Sequence, residues 1–408
     1  MHICMILDNF FPPDIRVEKE ARSLIAAGYG ITLMCRNRGD QPVSENIGGI
    51  RVIRIHYRPL KYMGGYSPSY HFRFVDRTWM KAIGKALDEY PALALHVHDL
   101  PMVKTCLRIG AERRIRVVFD MHENWPEELT YGRKPREGNF RVRTRDRFRN
   151  FILYNKQRYI RLEKEVIQKA DRIIVVVDEQ KDRLTSFGAD PSKITVVMNT
   201  SPGETASPKH PEEPDFPEWE DRFVVAYAGG FQSLRGLDTL VRAAAEARKK
   251  IPNILLLLMG RGDQEAFLIR ECKSLDFEGH AVFTGWIPLD EMMRRLRRSD
   301  VCVIPHNVNP HTNTTIPHKL FQYMALGKPV IATPAAPIRR IVEETDCGVI
   351  VPDGSAEEMA KAMVRLTDRR LAARLGENGR KAAGKKYHWE DDSKRLVELY
   401  RSLRLAEN

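Results

Sequence analysis

Residues 223–259 read FVVAYAGGFQSLRGLDTLVRAAAEARKKIPNILLLLM. Phe223 to Ala228 is a strand-sized apolar run that ends at Gly229 and Gly230, Leu237 to Lys249 reads as a helix, and Ile254 to Met259 is a second apolar run of strand length. A strand, a helix and a strand in that order make a crossover unit whose strands lie parallel. Toward the C-terminus the alternation continues. Strands are expected at Ala281 to Thr284, Val301 to Pro305, Pro329 to Thr333 and Val349 to Val351. Helices are expected at Leu289 to Arg298 and Pro317 to Leu326, and from Ala356 onward.

The N-terminal half repeats the pattern. Strands fall at His2 to Leu7, Ile31 to Cys35, Ile50 to His56, Leu93 to Val97, Arg116 to Asp120 and Arg172 to Val177, with a polar loop after Cys35. Arg16 to Ala27 forms a helix with Val17, Ala21, Leu24 and Ile25 on one face, closed by Gly28, and Phe74 to Glu89 reads as a second helix. Between the halves, Ser201 to Asp221 carries five prolines and almost no apolar periodicity. The fold class expected is α/β, with two doubly wound parallel sheets. The domains are 1–200 and 222–385, joined by a linker at 201–221 and followed by a C-terminal helix at 386–408. In open sheets of this kind, ligands bind where strands end and loops lead into helices.

Composition narrows the function classes. A chain of 408 residues suits two domains. No apolar run approaches the roughly 20 residues of a membrane-spanning helix, and the N-terminus reads as a first strand rather than a secretory signal. The six cysteines are scattered, with no Cys-x-x-Cys pair, which points to a reducing, cytoplasmic setting without disulfides or zinc. The net charge of +12 favours anionic partners. Between Arg133 and Arg172 stand fourteen Lys/Arg against five Asp/Glu, interleaved with Phe148, Phe151, Ile152, Tyr154 and Tyr159. This stretch reads either as a solvated helical face beside a loop or as a reversible, peripheral docking surface for anionic membrane lipid. Stacking platforms for nucleic acid are not apparent, so no nucleic-acid partner is expected.

Three loops of the second domain carry cations directly after strands. In the first, Thr314, Thr315 and Pro317 read as the capped start of a helix that holds Lys319 and Gln322 and ends at Gly327. Free N–H groups at such a start attract anions. The plainer reading is a capped helix with a solvated lysine. In the second loop, Gly229 and Gly230 admit close backbone approach, and Arg235 suits bidentate contact with a diphosphate. The plainer reading is a glycine-rich turn with a surface arginine. The third loop is Gly260-Arg261-Gly262-Asp263. Three such loops on one domain favour phosphate binding, although neither a G-x-G-x-x-G fingerprint nor a P-loop is present. In the first domain, His96-Val97-His98-Asp99 and Asp120-Met121-His122-Glu123 each close a strand, and His96 and His98 share a face. No metal is expected, since no Asp-x-Asp pair or zinc motif occurs.

In this order the motifs resemble glycosyltransferase family 4. They run from Phe11-Pro12-Pro13-Asp14-Ile15-Arg16-Val17-Glu18-Lys19-Glu20-Ala21 through His96 to Asp99, Phe119 to Glu123, Asn199, Tyr227 to Gly230, Arg235 to Leu237, Phe283 to Trp286 and Pro317 to Val330. The resemblance implies the GT-B arrangement of two facing Rossmann-like domains, with a tail from Trp389-Glu390 that crosses back to the first. It implies a retaining transferase of polysaccharide or cell-envelope biosynthesis, without cofactor or metal. The donor would be a nucleotide sugar such as a UDP- or GDP-sugar, and the acceptor a glycan or lipid-linked glycan. A nucleotide-sugar 2-epimerase and a catalytically weakened nucleotide-sugar-binding protein share the architecture. The family's roles fall on His122 for the sugar site, on Arg235 and the helix entered at Thr315 and Pro317 for the diphosphate, where the pattern alone also lets Lys319 reach a phosphate, and on Trp286 and Ile287 beside the base. Gln322 and Thr314 stand where the family has two acidic residues, for the ribose and the donor sugar. Gly230 stands where the family has a second cation.

Overall fold

The computed structural model describes residues 1–56, 68–131, 155–202, 216 and 219–405. Most of the proline-rich linker and residues 133–154 of the basic stretch lie outside the described residues. The chain forms two compact units, Met1–Met198 with Asp392–Asn408, and Asn199–Asp391.

The first unit is built on eight strands, β1 (His2–Phe10), β2 (Gly30–Arg36), β3 (Ser44–Ile47), β4 (Ile50–Ile55), β5 (Ala94–His98), β6 (Arg116–Met121), β7 (Arg172–Val175) and β8 (Ile194–Val196). They lie in the order β3-β4-β2-β1-β5-β6-β7-β8. Continuous apolar runs such as Ile3 to Ile6 are fully buried, as parallel strands covered on both faces require. Among the described residues of this sheet, only β3 and β4 pair antiparallel. The polar loop expected after Cys35 therefore contains an edge strand, too exposed and polar to show an apolar period.

The helix expected over Phe74 to Glu89 starts later. Phe74 takes a positive φ of 55°, and the Asp76 carboxylate accepts from Thr78 N and Trp79 N to cap a helix over Arg77–Glu89. A separate short helix spans Pro68–Arg73. Of the basic stretch, the described part is largely the helix Lys156–Lys169. Its Tyr159 is buried in the core and cannot face a lipid surface.

The last helix, Trp389–Leu405, joins the first unit from Asp392 onward. Asp392 accepts from Met198 N at 2.8 Å, and Leu396, Tyr400 and Leu403 are buried.

The second unit carries β9 (Phe223–Ala228), β10 (Ile254–Met259), β11 (Ala281–Gly285), β12 (Val301–Ile304), β13 (Val330–Ala332) and β14 (Gly348–Ile350). All are parallel, in the order β11-β10-β9-β12-β13-β14. The strand order reverses between β1 and β5 in the first sheet and between β9 and β12 in the second. These are the switch points where an open sheet leaves a crevice.

At the second switch point the loops after β9 and β12 touch. Asn307 N donates to Leu234 O at 3.1 Å, and Gly236 sits against the Pro305 carbonyl with φ 61°. A side chain at Gly236 would overlap that oxygen. Gly236→Ala is expected to lower stability by about 1–3 kcal/mol. Gly384→Ala, in an open helical position, should be neutral or stabilising by about 0.5–1 kcal/mol. Urea denaturation of both variants checks this contrast, and equal midpoints would contradict it.

Candidate functional site

In the second unit the site grows from the loop between β9 and the helix Leu237–Ala247. Tyr227, near the end of β9, donates its hydroxyl to Gly230 O at 2.9 Å and shapes the turn. Lys319, on the helix His318–Ala325, places Nζ 3.7 Å from the Tyr227 ring centroid. Gly229, with φ 138°, admits it: a Cβ there would stand 2.7 Å from Nζ. Lys319 is 9% exposed, and burial followed by the Arg235 charge drives its pKa well below the usual lysine range. Among the described residues no carboxylate acts on it. His306, just past β12, is 2% exposed, and its Nε2 has no hydrogen-bond partner among the described residues. Burial first, then Arg235, Lys319 and His311, hold its pKa well below the usual value. Here Arg235, Lys319 and His306 gather, and no carboxylate of the described residues acts on Lys319 or His306, an arrangement that favours an anion.

The other expected residues divide. Arg261, exposed, lies against Gly285, and its carbonyl accepts from Phe231 N at 2.9 Å, which ties its loop to the one that carries Gly229 and Gly230. Gly260 hydrogen-bonds Gly285 O at 3.0 Å in the same neighbouring loop. Trp286, 68% exposed, and Ile287 follow β11 at the sheet edge, apart from the switch point. The expected threonine cap is absent, because the helix begins at His318 with Pro317 in the cap position and no side-chain cap bond. Thr314 donates instead to Pro310 O at 2.9 Å and Thr315 to His311 O at 3.3 Å, within their own tight turn. Gln322 is half-buried on the same helix. Asn199 fastens the helix entry, donating to Ile316 O at 2.9 Å, while its carbonyl meets His318 Nδ1 at 3.1 Å.

In the first unit, His122 follows β6 and is the partly exposed member of a buried network. Its Nε2 lies 2.5 Å from Asp120 Oδ2, which also meets His98 Nδ1 at 2.9 Å and His96 Nε2 at 3.3 Å. Arg16 pairs with Asp120 Oδ1 at 2.7 Å and with Glu20 at 3.0 Å. Burial works against charge on Asp120, but Arg16 and His122 overrule it and hold the carboxyl well below its usual range. Burial also opposes charge on His122, yet Asp120, with Asp99, raises its pKa to about 9 against Arg16. Burial and the Asp120 charge push Glu20 up to about 7. Asp99, held at φ 61°, accepts from His122 N at 3.2 Å.

Glu20, His96, His98 and Asp120 bring four potential metal-ligand atoms within 4.8 Å of one another. The Arg16 guanidinium bridges the two carboxylates of this cluster. Sequence reasoning identified His96, His98 and His122, but not the links to Arg16 and Glu20, nor the Tyr400 hydroxyl 2.6 Å from His96 Nδ1. The available signal was Arg16 and Glu20, charges four apart beside the apolar stripe of Val17, Ala21 and Leu24.

Two family models match the chain, "Glycosyl transferase 4-like domain" over residues 13–200 and "Glycosyl transferases group 1" over 209–382. Together they span most of it, and the chain belongs to the family 4 type of glycosyltransferases. Among curated relatives, the D-inositol 3-phosphate glycosyltransferase of Rhodococcus opacus is 28% identical over 254 residues, 59% of this chain and 55% of that protein. The chain thus spans about half the length of the curated relatives it matches. Among solved structures, sucrose-phosphate synthase from Thermosynechococcus elongatus superposes with a TM-score of 0.75 at 22% identity, over 99% of both chains. The Anabaena protein HepE in complex with UDP-glucose gives 0.72 at 15% identity, covering 98% of this chain and 100% of that one. The fold is GT-B, as the sequence resemblance implied.

The network makes stability depend on pH. His122 and Glu20 both hold protons more tightly folded than unfolded, so their contributions are complete below the unfolded values and fade as pH rises through about 9 and about 7. The first unit should lose on the order of 1–3 kcal/mol between pH 6.5 and 9. His122→Gln should flatten that slope. Denaturant titrations at the two pH values read this directly, and equal slopes in both proteins would contradict it.

Proposed function

We propose that the protein is a retaining glycosyltransferase that moves a sugar from a nucleotide-sugar donor to a glycan or lipid-linked acceptor. The observation that carries this reading is Lys319, buried beside Arg235 and His306 with no carboxylate among the described residues acting on it. A diphosphate in that place would supply the missing counter-charge and favour the charged form of Lys319. As the bond to the sugar breaks, negative charge grows on the leaving diphosphate, and Lys319 and Arg235 stabilise it where it develops. This is the work a divalent ion performs in other transferases, and the reading assigns it to side chains here. Gln322 can accept from one ribose hydroxyl and donate to another group. His122, held by Asp120 and carrying its own positive charge, orients sugar hydroxyls in this scheme rather than attacking the sugar. HepE, solved with UDP-glucose, makes a UDP-sugar the first donor to try.

The test is acceptor-dependent release of nucleotide from UDP-, GDP-, ADP- and CMP-sugars by the full chain. Arg235→Ala and Lys319→Met are each expected to lower kcat by about 10²–10³-fold, the typical loss for one such donor. Near-normal turnover in Lys319→Met would remove this site from the reaction. Epimerised donor in the arm without acceptor would favour an isomerase instead.

A further inference from the structure

The motif from Phe11 to Ala21 and the returning C-terminal helix have no part in the transfer chemistry above, yet both lead to Asp120. Arg16 and Glu20 lie on the helix Ile15–Ala26 that follows β1, and Tyr400 lies on the helix Trp389–Leu405. Arg16, Glu20, His96, His98, Asp120 and Tyr400 are all at most 3% exposed. The Tyr400 hydroxyl stands 2.6 Å from His96 Nδ1, the two rings nearly parallel at 14° with centroids 6.1 Å apart. Burial, with the Glu20 and Asp120 charges, raises the Tyr400 pKa well above the usual value, so the phenol keeps its proton and donates it. With that hydroxyl as the donor, His96 Nδ1 is the bare nitrogen and Nε2 carries the hydrogen. That hydrogen faces Asp120 Oδ2 at 3.3 Å and Glu20 Oε2 at 3.5 Å.

We propose that Tyr400 is a positioning residue for His122: its hydroxyl fixes the tautomer of His96, and His96 in turn pins the Asp120 oxygen that holds the His122 ring. The inference rests on reading His122 as a substrate-facing group. Arg16 and Glu20 complete the arrangement, since Arg16 occupies the other Asp120 oxygen and leaves Oδ2 to the three histidines. The charged and titratable groups that face this chain of bonds are Arg16 and Glu20 from the first helix, His98 and Asp99 from β5 and its end, and Tyr29 against the Tyr400 ring. When the hydroxyl is removed, His96 Nδ1 has no donor. The ring then moves its hydrogen to Nδ1, turning a lone pair on two carboxylates, or takes a second proton. Either change alters the field at Asp120 and with it the titration of His122.

The experiment compares the full chain with Tyr400→Phe by nitrogen-15 histidine NMR, with His122 assigned from His122→Gln. The wild type is expected to show His96 as the Nε2–H tautomer alone. Tyr400→Phe should lose that single tautomer, move the His122 midpoint and lower kcat roughly fivefold, the equivalent of about 1 kcal/mol for one hydrogen bond, with KM for the nucleotide sugar little changed. If Tyr400→Phe folds poorly, His96→Asn probes the same link from the other side and should move the His122 midpoint as well. A wild-type His96 tautomer and His122 midpoint in Tyr400→Phe, or an unmoved midpoint in His96→Asn, would overturn the proposal. Normal turnover in His122→Gln, with the NMR changes present, would instead sink the site reading and leave the positioning intact.

Discussion

A parallel sheet delivers the carboxyl end of every strand to one edge, and nearly all the chemistry of this chain depends on that constraint. In the first unit β1, β5 and β6 bring Arg16, Glu20, His96, His98, Asp120 and His122 to one edge. In the second, β9 and β12 bring Gly229 to Gly236 beside His306, and the helix after β12 adds Lys319. The helices that follow these strands start at the same edge, so their charged first turns meet the strand ends.

The two units handle buried charge in opposite ways. Around Asp120 the charges are paired within the protein, Arg16 against Asp120 and Glu20 and His122 against Asp120 and Asp99. Such a network is costly to break and suits a fixed geometry. Around Lys319 no carboxylate of the described residues is offered, and the cation rests on the face of Tyr227. An unpaired buried cation is unfavourable until an anion arrives. The first arrangement suits a residue held in place, and the second is the one the proposed function assigns to a ligand.

Much of the fold was legible in the sequence, because strands buried on both faces read as apolar runs between turn residues. Tyr227 and Lys319 lay in stretches that were singled out, although their contact crosses 92 positions and has no local signature. The threonine cap misled for a physical reason. Thr314 and Thr315 have carbonyls of their own turn within reach, and such hydroxyls bond to nearby backbone as readily as they cap. Tyr400 could not have been matched to His96 from pattern, since 304 residues separate them. The edge strand at Ser44–Ile47 escaped because an edge needs no apolar alternation.

The central claim is that the second unit holds a pocket shaped by the charge of a pyrophosphate. Calorimetric titration of the full chain with UDP and with uridine, and with GDP and guanosine, separates phosphate recognition from base recognition. The account predicts that at least one diphosphate binds far more tightly than its nucleoside and that the advantage disappears in Lys319→Met. Equal affinity for nucleoside and diphosphate in the wild type would contradict it.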